Sequence, residues 1–370
     1  MVVGKPPLIF EKGLEALVLK FRADTDPRRT DLLVGVYKTN EGRAYGLERQ
    51  FTLRAGPSSF ARKETLGASG GCHVGAVMLE NHYGPWKQTE TPGIYLPMNH
   101  SHLFQYAGIK PTLLPYFSSK TNSLDFVRFA EAIKSLPAQS VVLLQSGAQN
   151  PTGCDPSSDQ WRELASIFSQ HGHLAFFDAS YPGFASGDID TDLESVRLFA
   201  EHEIPLVFVS TYGKSFRLYS ERVGILSILA PSEEAAKRIG KHLSLLARAE
   251  TGALPDFGSK IIETVLSDEA LERQWRDEVR DMANQLKYRR FALREMLEEL
   301  ETPGDWRHIT DQNGMFSYVG LSVEQVTLLR DEFHVYLQES GRISIAGLNR
   351  FNIDHTARSI SAVIKAKTPQ

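Results

Sequence analysis

In the middle of the chain three apolar runs, at residues 141–146, 174–178 and 206–209, run into polar residues, and helical periodicity fills the intervals between them. Runs of β-branched, aromatic and leucine residues bounded by turn formers predict buried strands. Their alternation with helices, at 158–170 and from about Asp192, predicts a parallel sheet whose carboxyl edge gathers Asn150, Asp178 and Thr211. A strand at 224–230 and a helix at 232–249 follow, and then a long charged helical pattern at 267–300, stopped by Thr302, Pro303 and Gly304. That length suits a connector between domains. Beyond it, strands at 315–319 and 342–346 with helices at 323–332 and 352–365 have α+β character. At the other end, apolar positions Leu8, Leu14, Leu17, Val18 and Phe21 predict an amphipathic helix, and residues 32–37 a strand. Residues 43–63 show little periodicity, and the glycine-rich run 65–75 predicts a turn into a helix at 74–79. The division expected is an arm and part of a small domain at 1–30, a large domain at 31–270 and a small domain at 271–370.

Composition narrows the partners. A chain of 370 residues with 42% hydrophobic and 23% charged residues is an ordinary globular protein long enough for two domains. Its formal charge of −4 offers no basic stripe for nucleic acid. No apolar run approaches a membrane span and the first residues lack the apolar core of a secretory signal, so a cytoplasmic location is expected. Cys72 and Cys154, the two cysteines, suggest neither a disulfide framework nor a metal site.

Lys214 is the most informative residue. It follows a strand's carboxyl end through Ser210, Thr211 and Gly213, where ligands collect in open α/β sheets, so it could form a Schiff base with an aldehyde cofactor. Equally, it could be a solvated loop lysine. Glycines at 67, 70, 71 and 75 would let backbone amides approach a phosphate, or would serve a turn only. Asp178 could cap a helix, although no helical pattern begins until about Asp192. Arg248, near a helix end, could be solvated or satisfy the dipole.

Taken together, several motifs resemble the aspartate aminotransferase family of fold-type-I pyridoxal-phosphate enzymes. They are Asn150-Pro151-Thr152-Gly153, the run 176–188 from Phe176 through Asp178 and Tyr181, Lys214 with the run 218–224, the run 312–317 and the run 340–347, in the family's order. Residues 23–27 and 33–37 are similar to its amino-terminal segment. The resemblance implies an α/β fold: a large domain built on a mostly parallel sheet with helices on both faces, and a smaller α+β domain. It implies pyridoxal 5′-phosphate held by Lys214, which would also shuttle the proton. Asp178 would pair with the pyridinium nitrogen, and Asn150 and Tyr181 would bond the phenolic oxygen. Arg222, Thr211 and amides near Cys72, His73 and Val74 would hold the phosphate. Arg342 would clamp the substrate α-carboxylate, with Gly35 and Asn150 in the substrate site, and Arg248 would reach a distal carboxylate across a homodimer. The substrates implied are an amino acid and a 2-oxo acid.

Two departures stand out. Where the family carries a ring-stacking tryptophan this chain has Pro97, with Tyr95 a weak substitute, and the stretch 45–65 is short, without the segment whose tyrosine crosses to the partner's phosphate. An aminotransferase acting on dicarboxylates is therefore weighed against another pyridoxal-phosphate reaction, such as elimination, decarboxylation or carbon–carbon bond formation, and against a cofactor-binding scaffold without activity.

Overall fold

A computed structural model of the protein describes residues 14–33, 60–88, 93–98 and 100–366. Gly35, the strand expected at 32–37 beyond Leu33, and most of the short stretch 45–65 lie outside the described residues. The chain forms two compact units, one of residues 1–45 and 286–370 and the other of residues 46–285.

In the smaller unit, helix α1 (Leu14–Ala23) and strand β1 (Thr30–Asp31) come first. The larger unit is built on a seven-stranded sheet. Its elements are β2 (Phe60–Leu66), α2 (Gly67–His82), β3 (Gly93–Leu96), α3 (Ser101–Gln105) and β4 (Lys110–Leu113), then the small ribbon β5 (Phe117–Ser118) and β6 (Ser123–Leu124). Next come α4 (Phe126–Lys134), β7 (Val141–Gln145), α5 (Ser158–His171), β8 (Leu174–Ala179), α6 (Ile189–Asp192), α7 (Glu194–Glu201), β9 (Leu206–Thr211) and β10 (Val223–Leu229). Helices α8 (Glu233–Glu250), α9 (Phe257–Leu266) and α10 (Glu269–Glu299) follow, and α10 runs through the division between the units. The smaller unit resumes with α11 (His308–Asp311), β11 (Phe316–Tyr318), α12 (Val323–Phe333), β12 (Val335–Tyr336), β13 (Arg342–Ser344) and α13 (Ile353–Lys365). Within it, β1 pairs in parallel with β12 and β11 pairs antiparallel with β13.

The sheet order is β2-β10-β9-β8-β7-β3-β4. From β9 to β4 the neighbours are parallel, and β10 and β2 are antiparallel to theirs. Every residue of β7, β8 and β9 is buried, because helices cover both faces and leave no polar side for alternation. One apolar cluster, around Phe104, Phe176 and Val209, packs α2 and α8 on one face. The other, around Phe129, Trp161, Phe177 and Phe199, packs α4, α5 and α7 on the opposite face.

Helix α2 departs from the expectation of a turn ending at Val74, since residues 67–75 are helical throughout. The glycines there serve packing. A Cβ at Gly71 would meet Val209 Cγ1 at 2.6 Å, and one at Gly75 would meet the ring of Phe176 at 2.9 Å. Bare backbone lets α2 lie close on β8 and β9, which offsets the poor helix propensity of glycine. Strand β2, in a stretch of weak periodicity, is fixed by pairing along its whole length with β10.

Gly224 tests this close packing. A Cβ there would lie 2.6–2.8 Å from the backbone of Gly67, which has no side chain to move aside. Gly224→Ala should destabilise the larger unit by roughly 1–3 kcal/mol, the usual cost of overpacking. Calorimetry should record a lower melting temperature; an unchanged one would contradict the packing described.

Candidate active site

A cavity of about 260 Å³ opens at the carboxyl ends of β8 and β9, lined among others by Ser69, Cys72, His100, Asn150, Asp178, Ser180, Tyr181, Thr211, Lys214 and Arg222. Sheet register explains the convergence. Asp178 lies beside Gln145 of β7 and Val209 of β9, so the turns after these strands open on one edge.

Asp178 is 4% exposed, and burial alone would raise its pKa. Two short contacts reverse that. His100 Nε2 lies 2.7 Å from Oδ2, and Ser180 Oγ donates to Oδ1 at 2.6 Å. With the charge of Lys214 nearby, they hold the carboxyl below its ordinary range, so it is an anion at neutral pH.

Lys214 sits in the turn three residues past β9. That turn is anchored by Trp275 of α10, whose Nε1 donates to the carbonyl of Ser215 at 3.3 Å and whose ring stacks on Phe216. The Lys214 ammonium is 4.4 Å from the centre of the Tyr181 ring. Burial, partly opposed by the charge of Asp178, reinforced by Arg222 and opposed again by Cys72, brings its pKa down to about 8. An amine at that value supplies an appreciable neutral, nucleophilic fraction near pH 7. Asn150 Nδ2 donates to the Tyr181 hydroxyl at 3.2 Å, which brings both side chains to the same wall.

At the opposite end stands the start of α2. The amides of a helix's first turn have no intrahelical acceptor, so those of residues 67–69 are available to an anion. Arg222 lies beside them: a Cβ on Gly67 would come within 2.8 Å of its Nη2. The amides of Cys72, His73 and Val74, expected to hold an anion, are instead inside the helix, because α2 begins at Gly67. Cys72 still lines the cavity, with its thiol pushed to higher pKa by burial. His73 pairs with Glu250 at 3.2 Å, and Val74 is buried in the core. Thr211 donates to the carbonyl of Val223 at 3.0 Å at the cavity wall.

The remaining expected residues are placed elsewhere. Tyr95 packs into the core cluster of Phe177 rather than the cavity, whose lining from this region comes from His100, His102 and Leu103. Arg248 is exposed in the last turn of α8 and is not among the cavity's lining. In the smaller unit Arg342 is buried, donates through Nη2 to the carbonyl of Leu33 at 2.9 Å, and lies 4.1 Å over the Phe316 ring. The part played by His100 was not visible in the sequence, since it is 78 residues from Asp178.

This donor set fits pyridoxal phosphate. Arg222 and the α2 amides suit a phosphate, the Asp178 carboxylate a protonated ring nitrogen, Asn150 and Tyr181 a phenolic oxygen, and Lys214 an aldehyde. Among the described residues no group of three or more His, Cys, Asp or Glu could hold a metal ion.

Comparison with known proteins leads to the same chemistry. Residues 98–360 match the family described as aminotransferase class I and II. The cytoplasmic aspartate aminotransferase of Oryza sativa subsp. japonica is 33% identical over 395 aligned residues, covering 96% of each chain. The aromatic-amino-acid aminotransferase of Burkholderia pseudomallei, solved covalently bound to pyridoxal phosphate, superposes with a TM-score of 0.88 at 30% identity, covering 98% of each chain. The cytoplasmic aspartate aminotransferase of Saccharomyces cerevisiae gives 0.89 at 29% identity, covering 99% of this chain and 98% of that one. With this coverage and this cavity, the chain belongs to the class I and II aminotransferases and is a pyridoxal-phosphate-dependent transferase of fold type I, related to the aspartate aminotransferases, that moves an amino group between an amino acid and a 2-oxo acid.

Proposed function

We propose that Lys214 is the amine that carries the cofactor and that the amino donor is a dicarboxylic amino acid, aspartate or glutamate. The observation that carries the first part is one cavity containing an amine with a lowered pKa and a carboxylate held ionised. Bound pyridoxal phosphate supplies an aldehyde for the amino group and a conjugated ring that absorbs the electron pair left at Cα. The Asp178 carboxylate would sustain that sink by keeping the ring nitrogen protonated. Lys214 Nζ would be the base placed to hold the proton taken from the substrate Cα and to return it. Tyr181 and Asn150 would hold the phenolic oxygen, while Arg222 and the amides of residues 67–69 would hold the phosphate.

Arg342 binds the α-carboxylate in this reading, because a guanidinium offers a fork of donors matched to a carboxylate. Exposed Arg248 serves the distal carboxylate in the partner of a homodimer, which supplies a role for a cation outside its own cavity. The dicarboxylate assignment is supported by the rice and yeast relatives, both named aspartate aminotransferases, although the Burkholderia relative is named for aromatic amino acids. A cytoplasmic site of action agrees with the rice and yeast names. Among the described residues no helix is long and apolar enough to cross a membrane.

Only the neutral amine attacks an aldehyde, so capture of pyridoxal phosphate by the cofactor-free protein should accelerate as pH rises, with a midpoint near the Lys214 value of about 8. Borohydride reduction and peptide mapping should then find the label on Lys214. A label elsewhere, or a midpoint near the ordinary lysine value, would contradict the assignment.

Aspartate and glutamate should each convert the bound cofactor to its amine form. Arg342→Ala should raise KM for every amino acid, and Arg248→Ala for the dicarboxylates alone, each by at least about tenfold for the loss of a charge-assisted hydrogen bond. Equal effects of Arg248→Ala on aspartate and alanine, or a monomer fully active in sedimentation at working concentration, would remove the cross-subunit role.

A further inference from the structure

Asp178 is gripped on both carboxylate oxygens, by His100 and by Ser180. Ser180 follows two positions after Asp178, one residue past the end of β8. Its Oγ donates to Oδ1 at 2.6 Å, while His100 from the segment before α3 meets Oδ2 at 2.7 Å. Ser180 is buried and itself lines the cavity. Other titratable groups facing the carboxylate are Lys214 from the turn after β9 and Cys72 from α2.

A hydroxyl has one proton to donate, and here it is directed at the carboxylate. That bond favours the anion over the acid. When a ring nitrogen and Asp178 share a proton, a donor on the carboxylate makes it the weaker base and leaves the proton on nitrogen. The same bond fixes the torsion of the carboxylate, so its free lone pairs keep one direction. His100 cannot substitute for this, because it engages the other oxygen.

We propose that Ser180 is a positioning residue for the transfer reaction: its hydroxyl holds Asp178 anionic and aimed, and so keeps the cofactor's ring nitrogen protonated. The proposal rests on the reading that Asp178 meets that nitrogen. It concerns a contact within this chain, and it yields measurements that do not depend on turnover.

Ser180→Ala removes one oxygen atom from a buried site and Ser180→Thr keeps it. In cofactor-free protein, carboxyl carbon NMR should show the Asp178 titration midpoint rise by about one pH unit in Ser180→Ala and return in Ser180→Thr, the size expected from one charge-assisted hydrogen bond. The dissociation constant for pyridoxal 5′-phosphate should rise about tenfold in Ser180→Ala. That for an analogue with carbon in place of the ring nitrogen should change less than about twofold, because it has no proton to share with Asp178. An unchanged Asp178 midpoint overturns the proposal even where Lys214 carries the cofactor. Equal loss of affinity for the two ligands overturns it as well, by reducing Ser180 to a wall of the cavity. Absence of the label from Lys214, by contrast, removes the functional reading beneath the proposal.

Discussion

An ionised carboxylate in the protein interior is the constraint around which the larger unit is arranged. Asp178 is almost fully withdrawn from water, and an uncompensated charge there would cost several kcal/mol and protonate instead. The fold compensates with groups from distant parts of the chain: His100 before α3, Ser180 just past the end of β8, and Lys214 past β9. Only a parallel arrangement of β7, β8 and β9 sends the turns after all three strands to one edge. The lysine is under the complementary constraint. The burial that costs a carboxylate its solvation also lowers the amine's pKa and makes it reactive.

Packing of α2 carries the second requirement. Because Gly71 and Gly75 have no side chains, the helix rests on Val209 and Phe176. Its first turn therefore opens at the same edge as Asp178, with Arg222 beside it. Backbone amides and a guanidinium on one side and a carboxylate on another make a cavity polarised along its length. A molecule with a dianionic tail and a cationic ring nitrogen would be oriented by that field before any covalent bond formed.

Much of this was legible in the amino-acid sequence. Strands β7, β8 and β9 are continuous apolar runs bounded by turn residues, and the long charged pattern became α10 almost residue for residue. Asn150, Asp178, Thr211 and Lys214 were expected at the carboxyl edge and Tyr181 and Arg222 from the family resemblance, and the cavity is lined by all six. What escaped depends on tertiary contact. Seven residues of error in the start of α2 put the amides of Cys72, His73 and Val74 inside the helix and left those of residues 67–69 at its open end, because glycine signals a turn unless a neighbouring surface rewards its bareness. The pairing of β2 with β10, and the approach of His100 to Asp178, join segments far apart in the chain and leave no local periodicity to read. Ser180 is a one-atom feature that only a distance reveals.

The electronic consequence of the buried carboxylate is the core of the account. If Asp178 remains an anion because His100 and Ser180 hold it so, the ring nitrogen of the bound cofactor must carry a proton. Nitrogen-15 NMR of the holoenzyme loaded with pyridoxal phosphate labelled at that nitrogen measures this directly. The account predicts a pyridinium-type shift in the native protein and a neutral pyridine-type shift in Asp178→Asn. A pyridine-type shift in the native protein, or the same shift in both, would contradict it.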